Sequence, residues 1–170
     1  MKLVAGSAEW NFAKLGMALD ISTSHAFESA WRAEHASLLT ISPAPPSHRR
    51  ARGVLFAPNR SNLKEFLIHG VKYCFPVERG GITRGIPTAE GASPLREHFS
   101  DSSALPPVWP GAEGDVRGIA FSPLYENVPA ATANDRALYE LLALLDAIRE
   151  GRAREREIAI RELTARIDSE

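Results

Sequence analysis

The sequence predicts an α+β fold, with helices in its first third, short strands in its middle and a pair of helices at its end. Small and apolar residues recur at helical spacing between Leu15 and Ala33. Runs rich in β-branched and aromatic residues alternate with Pro/Gly turns in the middle, and leucines return at helical spacing after Asn134. With 170 residues, 44% of them hydrophobic, the chain can bury a core as one domain or two small ones.

Composition and motifs argue against several functional classes. The net charge of −1 disfavours a protein that coats nucleic acid indiscriminately, although residues 41–100 hold nine Lys/Arg and only four Asp/Glu. Long apolar runs and a secretory signal are missing, so we expect a cytoplasmic protein that does not enter the membrane. HExxH, CxxC, GxSxG and dinucleotide-binding motifs are also missing. We therefore predict no enzyme activity, no catalytic residue, no cofactor and no metal site.

The segment "LGMALDISTSHAFESAWRA" has the spacing of two helices joined by a tight turn. The apolar residues of the first helix and the turn are Leu15, Ala18, Leu19 and Ile21. Ser22 is at the N-cap position of the second helix, where its hydroxyl can accept an amide hydrogen bond. Ala26, Ala30 and Ala33 recur at i, i+4 and i+7, which makes them the face that packs closely on the first helix.

This packing leaves the other faces of the second helix exposed. In a helix-turn-helix, the N-terminal residues of the second helix meet base edges in the major groove. We predict that the helix around Thr23–Glu34 reads DNA in this way. The residues predicted to contact DNA here are Thr23, Ser24, His25, Phe27 and Arg32. A helical hairpin without a DNA-binding role is the alternative interpretation.

The pattern "LGMALDIS", followed by Thr-Ser, resembles that of winged helix-turn-helix transcriptional regulators of bacteria. The segments "LKEFLIHGVKYCFPVERGGITRGIPTAEGASPL" and "LYELLALLDAIREGRARERE" are similar to small regulators of this class that are related to antitoxin-like DNA-binding proteins. The resemblance implies an N-terminal winged helix-turn-helix and a role in transcriptional regulation.

A basic segment follows the helix pair directly. The stretch "LLTISPAPPSHRRARGVLFAP" predicts a strand around Leu38–Ile41, a loop and a second strand around Val54–Phe56. The loop contains His48, Arg49, Arg50 and Arg52. Arginine can grip a phosphate with two donors or enter a narrow minor groove. We predict that this loop is the DNA-contacting tip of the wing, with a solvated loop as the alternative.

The middle region predicts one helix and further strands. "NRSNLKEFLIHG" should form a helix that is capped by Asn59 or Ser61 and ended by Gly70. "VKYCFP" and "VRGIAFSPL" have the composition of strands, and Cys74 in the first of them is expected to be buried.

Two segments of the middle region are predicted to be irregular. "ERGGITRGIP" is expected to be a tight turn between strands. Its Arg79 and Arg84 either extend the basic face or form ion pairs inside the protein. Thr88–Gly114, with four prolines, is expected to be a long ordered loop.

Two amphipathic helices are predicted at the end of the chain. The first has leucine and isoleucine at helical spacing, with Asn134 as its cap and Gly151 at its end. The second has Ile160, Leu163 and Ile167 on one face. These apolar stripes need cover from the chain's own core or from another subunit. We expect a homodimer formed through these C-terminal helices, because a two-fold pair reads two half-sites. The residues expected in that interface are Leu141, Leu145 and Ile148.

The predicted organisation is a winged helix-turn-helix over residues 1–58 and a mixed α/β region with the C-terminal helices over residues 59–170. The predicted function is sequence-specific binding of double-stranded DNA in transcriptional regulation. The alternative is an antitoxin-like module that binds a protein partner and whose DNA-binding motif is vestigial. The weak basicity of the second helix favours the alternative, and the "HRRAR" tip favours DNA binding.

Overall fold

A computed structural model of the chain describes residues 1–5, 10–43, 54–99, 105–112 and 114–169. These residues form a mixed α+β fold with two small sheets, as predicted for its class. The helices are α1 Phe12–Ala18, α2 Thr23–His35, α3 Arg60–Glu65, α4 Val71–Cys74, α5 Val128–Thr132, α6 Arg136–Glu150 and α7 Ala153–Asp168. The strands are β1 Leu39–Pro43, β2 Val54–Pro58, β3 Arg79–Pro87, β4 Pro107–Pro110 and β5 Val116–Phe121.

The main core is built around α6. Every residue from Leu141 to Arg149 is buried, so this part of α6 is covered on all sides. From α7 the core receives Ala159, Leu163 and Ile167, all fully buried. The predicted pair of C-terminal helices is confirmed, and the chain's own core covers their apolar faces.

The prediction of which residues form a dimer interface is wrong. Leu141, Leu145 and Ile148 are 3%, 0% and 1% exposed, so none of them is free to meet another subunit. The cap of this helix also differs from the prediction. Asp135, and not Asn134, accepts the hydrogen bond of the Leu138 amide at 3.0 Å. Gly151 ends the helix as expected.

The helix that begins after Asn59 runs further than predicted. Asn59 caps it, as expected, but Gly70 does not end it: a π-helical turn, Phe66–Gly70, joins α3 to α4. The buried residues Leu63, Leu67 and Val71 recur every four positions, which explains the continuation, because Val71 packs into the same core. The segment predicted as a "VKYCFP" strand is therefore helical through Cys74.

Cys74 is exposed, which contradicts the expectation of a buried thiol. In a strand of a covered sheet its apolar neighbours would have enclosed it. On α4 the buried position belongs to Val71, three residues earlier, and the chain from Tyr73 to Pro76 is exposed.

The second sheet closes on itself. β3 pairs antiparallel with both β4 and β5, and β4 pairs parallel with β5. The "ERGGITRGIP" segment is thus a strand, β3, and the prediction of a tight turn there is wrong. The predicted loop Thr88–Gly114 contains β4 and two 3₁₀ turns, Ala89–Gly91 and Leu95–His98.

Glycines allow this tight closure. A Cβ at Gly85 would overlap the carbonyl oxygen of Trp109, and one at Gly118 would overlap the carbonyl oxygen of Pro106. Because three strands meet at van der Waals distance, only a residue without a side chain fits on the inner face at these positions.

A buried polar cluster connects α6 to this sheet. Asp146 accepts hydrogen bonds from the Thr88 hydroxyl at 2.7 Å and the Trp109 indole at 2.6 Å, and it forms an ion pair with Arg149. The remaining acceptors of the Arg149 guanidinium are the carbonyl oxygens of Phe75, Pro76 and Ser122. Burial raises the pKa of Asp146 to about 6, although Arg149 and the hydrogen bonds act to lower it.

The first five residues contact the main core. Val4 is 3% exposed within that core, and Lys2 forms an ion pair with Asp135 at the start of α6. The domain boundary at residue 58 stays a prediction. Within the described part of the chain, no helix has the length and hydropathy that a membrane crossing requires.

Candidate nucleic-acid interface

A short turn joins α1 to α2, and a side-chain cap begins each of the two helices. Asn11 caps α1 by accepting from the Lys14 amide at 2.8 Å, and Ser22 caps α2 by accepting from the His25 amide at 3.1 Å. The turn folds back onto α1, where the Ile21 amide donates to the Gly16 carbonyl at 2.9 Å. A Cβ at Gly16 would lie 2.8 Å from the Ile21 oxygen, so glycine permits this close approach.

The predicted packing of α2 is confirmed at two of its three alanines. Ala26 and Ala30 are 1% and 5% exposed, while Ala33 is only half-buried. The residues at the start of the helix, Thr23, Ser24 and His25, are exposed as predicted. The first turn of α2 therefore presents polar side chains to solvent from a well-anchored helix.

The charged residues of α2 are engaged in local contacts. Arg32 lies 4.0 Å from Glu28 and donates to the Ser29 hydroxyl at 2.9 Å, with both charged side chains well exposed. Glu34 accepts from the backbone amide of Ile41 at 2.8 Å, which ties α2 to the first strand of the hairpin. Arg32 is thus in part neutralised by its neighbour, and Glu34 has a structural role.

The hairpin predicted after the helix pair is present. β1 and β2 pair antiparallel, with Leu39 opposite Pro58 and Pro43 opposite Val54. The four residues predicted to contact phosphates, His48, Arg49, Arg50 and Arg52, lie outside the described residues.

A row of aromatic rings, which the sequence pattern did not predict, crosses the same unit. The Phe12 ring of α1 lies edge-on to Phe27 of α2 and to Phe56 of β2, with centroids 5.1 and 5.2 Å apart. Phe27 stacks with Trp31 at 6.4 Å, and Trp31 contacts the His35 ring at 5.3 Å. The four-residue spacing of Phe27, Trp31 and His35 was the available signal. Phe27 and Trp31 are 49% and 51% exposed, so this row is also a surface.

The turn between α1 and α2 is held by a distant segment. The Tyr125 hydroxyl donates to the Leu19 carbonyl at 3.3 Å, and the Asn127 amide donates to the Asp20 carbonyl at 2.5 Å. Asp20 has a positive φ of 54°, a conformation that Asp tolerates better than most residues. Burial raises the pKa of Tyr125 to about 12, and the charge of Asp20 acts in the same direction. The side chains of Tyr125 and Asn127 thus connect the α1–α2 turn to the segment that precedes α5.

Comparison with known proteins identified no relative of this chain. No protein-family model matches the sequence, no curated protein matches it, and no solved structure matches the fold.

Proposed function

We propose that the chain is a transcriptional regulator that binds double-stranded DNA sequence-specifically, with the first turn of α2 in the major groove. The observation that carries this proposal is the exposure of Thr23, Ser24 and His25 at the start of a capped helix that a hairpin follows directly. Their side chains can donate to and accept from base edges, and the width of α2 suits a major groove.

Contacts on three sides fix the position of α2, which supports a role in recognising DNA bases. Gly16 brings α1 close to the turn, Glu34 connects α2 to β1, and Tyr125 holds the turn to the body. Base recognition needs side chains placed within a fraction of an ångström, which rigid elements provide better than loops.

The phosphate contacts must come mostly from outside α2. Arg32 has Glu28 as its neighbour, so it adds little net charge to the helix surface. We propose that the wing residues His48, Arg49, Arg50 and Arg52 supply these contacts. Base reading and phosphate binding are then carried by different segments, which makes them separable by mutation.

The test begins with selection of binding sequences from random duplex DNA, followed by anisotropy measurements with the selected and a scrambled duplex. Ser24→Ala and His25→Ala should reduce the preference for the selected duplex more than they reduce binding to the scrambled one. Replacing Arg49, Arg50 and Arg52 by alanine should weaken binding to both and lower the salt slope by up to about three. Arg136→Ala, at an exposed arginine on α6, is the control. Failure to enrich any sequence would contradict the proposal.

A second function is favoured by the exposed pair Phe27 and Trp31. Aromatic side chains that are half exposed on one helix face are typical of protein interfaces, whereas phosphate groups offer them no apolar contact. In this alternative, α2 binds a protein partner, as in an antitoxin-like module. Trp31→Ala should then abolish co-purification with the product of a neighbouring gene, while Ser24→Ala leaves it intact. If the Trp31→Ala variant still co-purifies with that gene product, this interface is excluded.

A further inference from the structure

Two arginines stand directly opposite each other on the second sheet. Arg84 of β3 pairs in register with Arg117 of β5, and both side chains are exposed. Directly opposed residues of antiparallel strands point to the same face with Cβ atoms about 5 Å apart, where like charges repel. The pair therefore raises the positive potential at one point of the sheet and costs the fold some stability.

Neither arginine has an acidic partner among the described residues. Arg79 forms an ion pair with Glu150. Among the described residues, no ion pair within 4.0 Å includes Arg84, Arg117 or the neighbouring Asp115. Of the two arginines in "ERGGITRGIP", Arg79 thus forms an ion pair within the chain, whereas Arg84 faces solvent. Two guanidinium groups without a counter-charge can together bind a carboxylate or a phosphate.

An apolar pair lies next to the arginines on the same face. Ile82 is opposite Ile119, two residues from Arg84 and Arg117 respectively, so the alternation of the strands puts all four side chains on the outer face. Ile82 is 54% exposed. The intervening positions, which face inward, are Thr83 and Gly118; they pair with each other, and Gly118 is buried while Thr83 is half-buried.

We propose that this outer face, consisting of Ile82, Arg84, Arg117 and Ile119, docks a polypeptide segment that carries a glutamate or aspartate beside an apolar side chain. The carboxylate bridges the two guanidinium groups and removes their repulsion, and the apolar side chain covers Ile82. A nucleic-acid backbone would satisfy the arginines but would leave Ile82 in water. This surface lies on different residues from the proposed DNA interface and does not depend on it.

The test uses short fluorescent peptides in which glutamate and leucine alternate with serine, with full-length protein. We expect binding by anisotropy, with amide NMR shifts concentrated at the four outer-face residues. Peptides with lysine for glutamate, or serine for leucine, should bind more weakly. Arg84→Ala with Arg117→Ala should lower affinity at least about tenfold, as for paired charges in other interfaces. Arg84→Lys with Arg117→Lys should retain only part of the affinity, because lysine lacks the planar fork.

The controls separate this surface from general charge effects. Arg136→Ala removes an arginine whose side chain is 84% exposed on another element and should leave peptide affinity unchanged. Short duplex DNA and inorganic phosphate should shift the outer-face amides less than the glutamate–leucine peptide does. Larger shifts with DNA or phosphate, equal binding of the leucine-free peptide, or unchanged affinity in the double alanine variant would each overturn the proposal.

Discussion

Asp146 and Arg149, three residues apart on α6, form an ion pair of 2.7 Å in which both side chains are only 2% exposed. Removing one member of such a pair leaves the other charge buried without compensation, which typically costs about 3–5 kcal/mol. We therefore expect Asp146→Ala to lower the free energy of unfolding by about that amount in urea denaturation.

The double variant Asp146→Ala/Arg149→Met supplies the control for this prediction. Methionine fills much of the arginine volume without its charge, so the double variant should lose less stability than the sum of the two single variants. Additive losses of stability would mean that the two residues act independently. Asp146 would then act through Thr88 and Trp109, and Arg149 through the carbonyl oxygens that accept from it.

The cap of α2 makes a second prediction. Ser22→Ala removes the hydroxyl that accepts from the His25 amide, and we expect the free energy of unfolding to fall by about 1 kcal/mol. Ser24→Ala is the matched control, because Ser24 is exposed within the same helix and alanine favours helix. Thermal denaturation should show a lower Tm for the first variant only. Equal Tm values would show that the cap contributes nothing to the stability of the fold.

Tyr125 makes the stability of the protein sensitive to alkaline pH. Its pKa is raised from 10.0 to about 12, so the folded state favours the protonated hydroxyl that donates to Leu19. This contribution to the free energy of unfolding is fully present below pH 10 and is lost as pH rises through about 12. Denaturation of Tyr125→Phe should show a loss of about 1 kcal/mol at pH 8 and a weaker decline above pH 10 than the unmodified chain. A parallel decline in the two proteins would contradict this assignment.

The exposed thiol of Cys74 is accessible in the native state. We expect a bulky disulfide reagent to label the native protein at a rate within about tenfold of the unfolded chain, since access and not unfolding limits the reaction. Labelling should leave the far-ultraviolet circular dichroism unchanged. Protection of the native thiol by several orders of magnitude would show that Cys74 is covered in solution.

Local signals in the sequence predicted the N-terminal unit well. The N-cap at Ser22, the inward alanines at Ala26 and Ala30, and the hairpin strands that follow were all correct in position. These features depend on contacts between residues close in the chain, where capping, spacing and turn length act directly. The aromatic row escaped notice because Phe12 and Phe56 reach Phe27 only after the helices and the hairpin have packed.

The middle region shows where local signals fail. Gly70 is a reasonable helix end by itself, but the burial of Val71 continues the helix through it. The glycines of "ERGGITRGIP" suggest a turn, but glycine is also what a tightly closed sheet requires, as Gly85 shows against Trp109. Both outcomes depend on which distant surface covers the segment, and that information is not carried by neighbouring residues.

The sequence by itself determined the fold class, the order of helices and strands at both ends, and the polar residues at the start of α2. Only the tertiary structure decided that α6 is a central core helix and not a dimer face, that Tyr125 holds the α1–α2 turn, and that Arg84 lies opposite Arg117. The physical reason is separation along the chain: Leu19 and Tyr125 are 106 residues apart, and no periodic pattern records which of many polar groups will meet when the core forms.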